Sequence, residues 1–399
     1  MGDPFALISQ WFTNLLLGWG LSESAATVIR LLVGAVILAT ISMLTVVVLI
    51  WVERKLAGRL QDRPGPNRAG KFGLLQPIAD MIKIFTKEIV TPAQADKTIF
   101  HLAPVVFIAS VLLMWVVIPF TATVMGANLN VAVLYVVAVG AFGVVAVLMA
   151  GWSSNNKFAL LGAFRAVAQM VSYEVPMVLA LMVPVLLARS MGLTDIVNAQ
   201  SVWFIVAAPI AAVIFLITSM AEVGRAPFDL LEAESEIVAG YHTEYSGMEF
   251  GMFYVAEFLH VWTIGALLGT LFLGGWRGPG AETYPLLGIL YFYIKTFIGY
   301  FIVTWIRLSL PRIRIDQMLA FNWKFLTPLI LVVLIFTAIL DKVLEVYAVS
   351  GWGHALSMLA LNVVIGWATV QALKKVEKSR QRRRPEFPPR PVAVAPKSE

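Results

Sequence analysis

The chain has 399 residues, of which 59% are hydrophobic and only 14% charged, with a formal net charge of +6. A mean hydropathy of +0.82 and the lack of any long polar stretch before the C-terminal tail exclude a soluble globular domain, and the absence of period-2 alternation argues against a β-barrel. Cysteine is absent, which leaves no disulfide and no cysteine-ligated iron–sulfur cluster to this chain.

Residues 1–20 lack a basic n-region and a small-residue cleavage site, so no signal peptide is read there. Phe5, Leu7, Trp11, Phe12, Leu15 and Leu16 predict a short interfacial helix instead. Apolar runs predict nine spans, at 25–53, 98–120, 129–152, 158–188, 200–221, 251–274, 284–307, 323–345 and 352–373. The expected fold class is therefore an all-α polytopic membrane protein. Basic residues from Arg54 to Lys97, then Lys157, Arg225, Arg312, Arg314, Lys324 and the tail, fall on one side, whereas the other holds only Arg30, Arg189, Arg277 and Lys342. The positive-inside rule then puts the N-terminus outside and the C-terminus in the cytoplasm, and nothing in the pattern predicts nucleic-acid binding.

Where the first span leaves the membrane stand Glu53 and Arg54, followed by a tight turn at Pro64-Gly65-Pro66-Asn67 amid basic residues. Alone, such a cluster is a lipid-facing anchor. Over 73–90, Leu74, Ile78, Ile82, Phe85 and Ile89 alternate at helical spacing with Gln76, Asp80, Lys83 and Lys87, which predicts an amphipathic helix along the cytoplasmic face. The fourth span exceeds thirty residues, about 50 Å of helix, and must tilt or bend; Pro176 and Pro184 supply kinks. It carries Arg165 and Glu174, about half a turn out of phase and so not a simple ion pair, and an intramembrane glutamate is a proton or ion site by default.

Charge concentrates at 221–250, where Glu222, Asp229, Glu232, Glu234, Glu236, Glu244 and Glu249 face a single Arg225. Pro227 suits the first turn of a short helix and Gly240 a stop after Val238, which would place Asp229, Glu232 and Glu236 on one face. A solvated acidic loop is the bland reading; the interleaved Phe228, Leu230, Leu231, Ile237 and Val238 point to a partly buried segment. Lys295, deep in the seventh span, calls for an acidic partner, and Glu257 or a neighbouring subunit could supply it. Glu257 and His260 form one Glu-x-x-His, but a di-iron bundle needs two such pairs and two further glutamates, so no metal is expected. Past 345 comes an additional apolar run and a Pro-rich basic tail over 374–399, expected to be disordered.

Several strings together resemble the heel membrane subunit of respiratory complex I, the proton-translocating NADH:quinone oxidoreductase. They are Val52-Glu-Arg-Lys55, Gly65-Pro-Asn-Arg68, Gly73-Leu-Leu-Gln-Pro77, Ala79-Asp80, Ala159-Leu-Leu-Gly-Ala163, Ala168-Gln169, Ser172-Tyr-Glu174, Ala221-Glu222, Pro227-Phe-Asp229, Glu232-Ala-Glu-Ser-Glu236, Glu244-Tyr-Ser-Gly247, Pro311-Arg312, Arg314 and Asp316-Gln317. They run in order through about 30–345. The resemblance implies a domain over 25–345 that, with peripheral subunits, encloses a quinone headgroup and passes charge or protons toward small and antiporter-like membrane subunits.

On that resemblance, proton relay and coupling fall to Glu174, Glu222, Asp229, Glu232, Glu234, Glu236, Glu257 and Lys295. Quinone binding falls to Glu53, Arg54, Arg63, Asp80, Met81, Arg225 and Phe228, and partner contact to Arg68, Lys83, Lys87, Arg312, Arg314 and Asp316. Quinone is the substrate, no cofactor is bound covalently, and flavin and iron–sulfur clusters belong to partner subunits. The implied location is a prokaryotic plasma membrane, in contact with its lipid. Two rival readings are the homologous membrane component of a membrane-bound hydrogenase and a stand-alone proton-coupled transporter; the second lacks the internal repeat common among transporters.

Overall fold

A computed structural model describes residues 4–231 and 234–382. Among these there are only helices and turns: α1 Pro4–Gly18, α2 Glu23–Leu60, α3 Gln76–Thr86, α4 Lys97–Met114, α5 Ala132–Ser153, α6 Lys157–Ala188, α7 Leu193–Ala199, α8 Phe204–Ala207, α9 Pro209–Glu222, α10 Glu234–Ile237, α11 Gly247–Phe272, α12 Pro285–Ser309, α13 Ile315–Phe321, α14 Thr327–Val346 and α15 Trp352–Arg382. Seven of the described helices are long and apolar enough to cross a membrane: α2, α4, α5, α6, α11, α12 and α15. The other two expected spans are modified. The run at 200–221 breaks at Ala208, before Pro209, into α8 and the 14-residue α9. The run at 323–345 begins as a π turn over Asn322–Leu326 that leads into the 20-residue α14. Proline explains the first break, because residue 209 has no N–H to donate and disfavours helical backbone before it.

α11 is the axis of the bundle, with 94% of its most apolar 18-residue stretch buried. It meets α12 at a crossing of small residues: a Cβ on Gly265 would stand 2.6 Å from the Thr296 carbonyl oxygen, and one on Gly299 would stand 2.8 Å from Gly265 Cα. Without a hydrophobic drive inside lipid, close backbone approach of this kind supplies the packing energy. Parallel to α11, α4 adds a hydrogen bond from Trp115 Nε1, just past its end, to Thr263 Oγ1 at 2.9 Å. The hairpin between α5 and α6 turns at Asn155, in left-handed backbone, and Asn156 Oδ1 caps α6 by accepting from Phe158 N at 2.9 Å.

One end of the bundle therefore gathers the end of α2, the whole of α3, the starts of α4, α6 and α11, and the ends of α5, α9 and α12. Loop-to-loop bonds tie it together, such as Val90 N to Ser246 Oγ at 2.8 Å, Asp96 N to Ser153 O at 3.1 Å and Ile313 N to Pro227 O at 2.9 Å. The amphipathic helix is shorter than its sequence period: α3 begins at Gln76, because Phe72, in left-handed backbone, and the turn over Lys71–Gly73 occupy its expected start. α15 is longer than expected and runs through Lys374 and Lys375 to Arg382. The segment 371–382 holds good helix formers and neither Gly nor Pro, so the basic tail's first part propagates the helix. The tail expected over 383–399 lies outside the described residues.

Candidate functional site

At the exit of α2, Glu53 accepts from Tyr300 Oη at 3.2 Å and forms an ion pair with Arg307 of α12. One residue on, Arg54 pairs with Asp80 of α3, which Gln76 Nε2 also reaches at 3.2 Å and Lys83 at 3.6 Å. Burial pushes the Asp80 carboxyl up, but the hydrogen bond and charge of Arg54, with Gln76 and Lys83, outweigh it and hold the group below its ordinary value. Adjacent Glu and Arg on one helix thus bind two different elements, α12 and α3, and fix the angle between them. Trp51, Lys55, Arg59, Arg63 and Phe72 line a groove of about 430 Å³ beside this junction. Met81 is exposed on α3.

The acidic stretch differs from its sequence reading. No helix runs from Pro227: residues 226–228 form a turn, 229 and 230 have no regular structure, and α10 covers only Glu234–Ile237. Tertiary partners take the backbone groups that a helix would need. Gln169 Nε2, buried in α6, donates to Ala221 O at 2.5 Å and Phe228 O at 2.8 Å, and Pro227 O accepts from Ile313 N. Asp229 and Glu236 are therefore not neighbours on one helical face. Glu232 lies outside the described residues. Gly224, with φ +68°, lets the chain double back so that Leu231 packs where a Cβ would stand.

Glu236 is clamped between Arg165 of α6, at 2.6 Å, and Arg312, at 2.9 Å. The hydrogen bond from Arg165 and its charge hold the Glu236 carboxyl below the ordinary range against slight burial, and Arg312 adds to the effect. Arg165 thus finds its acid in the loop and not at Glu174. Phe228 is buried against Tyr173, with ring centroids 5.3 Å apart. Glu244 accepts from Asn156 Nδ2 at 2.5 Å, and Glu249 pairs with His101.

Arg225 is buried, lies 3.7 Å from Glu257 and stacks over Phe258 at 5.0 Å. Glu257 also accepts from Tyr241 Oη at 3.1 Å. Arg225, Asp229, Glu257 and Arg307 line one small cavity of about 10 Å³, so Arg307 links the Glu53 junction to the Arg225 cluster. Deeper, Glu222 ends α9 and faces α5, where a Cβ on Gly140 would lie 3.6 Å from its Oε1. Glu174 is close enough for its charge to be felt at Glu222. The buried Arg225–Glu257 pair costs desolvation, and removing one partner would leave the other stranded.

Glu257 is not the partner of Lys295. Its Nζ donates to the carbonyls of Gly275 and Arg277, at 2.8 Å each, and sits over Trp203. The helices are antiparallel, so Lys295 packs beside Gly269, twelve residues and about 18 Å along α11 from Glu257. It belongs to the opposite end of the bundle from the acidic loop. Arg68, Lys83, Lys87, Arg314 and Asp316 are exposed at the acidic end, which leaves them available to a partner.

Three members of the site take their place only from the tertiary structure. Arg307 pairs with Glu53 from 254 positions away. Tyr300 donates to the same Glu53, and Gln169 holds the loop through the carbonyls of Ala221 and Phe228. Among the described residues no group of three or more His, Cys, Asp or Glu could hold a metal ion.

The family model described as NADH dehydrogenase matches residues 33–338. The H subunit of an NADH-quinone oxidoreductase of Dehalococcoides mccartyi strain CBDB1 is 52% identical over 310 residues, 78% of this chain and 86% of that one. A second H subunit, from Dehalococcoides mccartyi strain ATCC BAA-2266, is 48% identical over 84% of this chain and 92% of its own length. A third, from Bacteroides thetaiotaomicron, is 42% identical over 84% of this chain and 97% of its own.

Proposed function

Because the chain belongs to the NADH dehydrogenase family that holds the H subunits of NADH-quinone oxidoreductases, we propose that it is the membrane subunit that walls a quinone chamber and passes the effect of quinone reduction into the membrane. The observation that carries this reading is the gathering of charged and polar groups at the acidic end, from the Arg54–Asp80 and Glu53–Arg307 pairs to the cavity of Arg225, Asp229 and Glu257, with Glu222 and Glu174 deeper in the bundle. A quinone site combines apolar walls with a few polar groups for the head, and the acidic end of the bundle offers both. Reduction of a quinone creates negative charge and takes up protons. Clustered carboxylates and guanidiniums in a low-dielectric setting respond to such a change by shifting protons. Flavin, iron–sulfur clusters and the nicotinamide reaction then belong to partner subunits. The exposed residues Arg68, Lys83, Lys87, Arg314 and Asp316, together with Arg312, form the docking rim for the peripheral ones.

In this reading the acidic end faces the cytoplasm of a prokaryotic cell, an orientation that the basic residues around it support. Neither rival reading gains support: the relatives are named as subunits of a quinone oxidoreductase and not of a hydrogenase or a transporter. Purification in mild detergent should bring flavin- and iron–sulfur-containing subunits with the chain. In that assembly a photoreactive quinone analogue should label α2, α3 or the 221–250 loop. Labelling confined to the loops at the opposite end would overturn the proposal.

A further inference from the structure

The two members of the Glu257-x-x-His260 string open onto two separate cavities. Glu257 lines the cavity of Arg225, Asp229 and Arg307. One turn deeper, about 5 Å along the axis, His260 lines a second, of about 20 Å³, together with Ser219 and Glu222 of α9. That volume exceeds the roughly 10–15 Å³ that one water requires. The remaining walls, from α4, α5 and α6, are apolar side chains such as Met114, Val136 and Met177, so the polar groups of this space are concentrated on α9 and α11.

Their hydrogen-bonding needs are open on the protein side. Ser219 Oγ is buried without a partner among the described residues. Neither the Glu222 carboxyl nor the His260 ring forms a hydrogen bond to another described side chain or backbone group, although Glu222 feels the charge of Glu174. Thr263, on the same wall, is already satisfied, since its hydroxyl donates to Leu259 O at 2.8 Å and accepts from Trp115 Nε1. Three polar groups with unmet capacity around a space of one water's size meet the conditions under which a buried water is held.

We propose that a water held by Ser219, Glu222 and His260 carries a proton between the Glu222 carboxyl and the His260 imidazole, which makes His260 a positioning residue for the coupling step. This rests on the reading of Glu222 as a relay carboxyl. In the forward direction the O–H bond of protonated Glu222 breaks as its proton passes to the water, and another proton of that water forms the N–H bond at the free imidazole nitrogen. Carboxylate, water and imidazolium remain, and the reverse step restores the start. The pair's net charge is unchanged throughout, so no isolated ion has to enter the low-dielectric interior. Placing the imidazole one turn from Glu257 also extends the line of titratable groups on α11 from the Arg225 cavity to Glu222, a connection that Glu222 and Glu174 alone do not provide.

The test uses the assembled complex in vesicles. His260→Gln keeps a hydrogen-bonding group of similar reach that cannot accept and release a proton at neutral pH, whereas His260→Leu removes both functions. Each should lower quinone reduction and proton uptake at least tenfold, and the pH profile of turnover should lose one limb. The infrared carbonyl band that disappears in Glu222→Gln should shift in His260→Leu and Ser219→Ala and hold its place in His260→Gln. If His260→Leu does not assemble, His260→Gln and Ser219→Ala decide the matter by the same readouts. Wild-type turnover and pH profile in His260→Gln, with Glu222→Gln inactive, would overturn this inference alone. Wild-type turnover in both would instead overturn the relay reading on which it stands.

Discussion

In the most apolar 18-residue stretch of α11, 94% of the residues are buried, whereas in α15 the share is 17%. Both helices are long enough to span a bilayer, and both carry polar residues within that span. In α11 these include Glu257 and His260, each facing a cavity shared with other elements. In α15 the buried one is Asn362, whose Nδ2 donates to Ala207 O at 2.9 Å, the carbonyl left at the break between α8 and α9. His354 pairs with Asp341 at 2.9 Å near the other end of the bundle, where Arg189, Lys342 and Glu345 form a largely exposed network. The same residue classes therefore do different work. Enclosed by α4, α9 and α12, a carboxylate must be paired or protonated and so can respond to charge; at the periphery a polar side chain repairs a backbone fault or links helix ends. The family match ends at 338, ahead of α15, in line with this division.

Substitutions in the enclosed region should have the largest effect. Glu174→Gln and Glu222→Gln are expected to assemble normally and to lose most quinone-linked turnover and proton uptake, with partial activity retained by Glu→Asp at either position. Rates in vesicles, with assembly followed on native gels, check this, and wild-type pumping by both Gln variants would reduce the two glutamates to structural roles. Next comes the α11–α12 crossing. Gly265→Leu should destabilise the bundle by at least the roughly 1–3 kcal/mol of an overpacked core, because the added side chain meets the Thr296 carbonyl and not a flexible group. A clear fall in melting temperature is expected, and an unchanged one would show that the helices can separate cheaply.

A smaller effect is expected at the periphery. Deletion of 351–399 should leave quinone reductase activity nearly intact while lowering thermal stability modestly, since Ala207 O loses its Asn362 donor. Loss of turnover in a correctly assembled truncation would bring α15 into the mechanism and erase the contrast with α11. The smallest effect belongs to Asp80, whose partner Arg54 is 40% exposed, so solvent screening limits the pair to about 1 kcal/mol or less. The Asp80 carboxyl is held below its ordinary value, so its stabilisation is present above about pH 3.8 and is lost as pH falls through the lower, folded-state value. Melts of Asp80→Asn beside wild type, taken from pH 7 downward, should differ slightly at neutral pH and converge in acid.

The sequence by itself determined the all-α membrane class, the long fourth span, the amphipathic helix and the concentration of acids at one end. Each of these follows from composition or a local period, which short-range physics fixes. Of the residues its strings singled out, Glu53, Arg54, Asp80 and Arg225 gather at one end of the bundle, with Glu222 at the end of α9. Only the tertiary structure decided which charges pair. Glu53 with Arg307 and Arg165 with Glu236 join elements distant in sequence, and each choice depends on which helix faces lie at the same depth, while Lys295 turns to carbonyls of the loop before its own helix. The loop after Pro227 shows the same limit most directly. Its local signals favour a helix, but Gln169 and Ile313 bind its carbonyls and the turn held by Gly224 folds Leu231 back upon it. Buried hydrogen bonds to distant partners outweigh the few tenths of a kcal/mol per residue that helix propensity supplies.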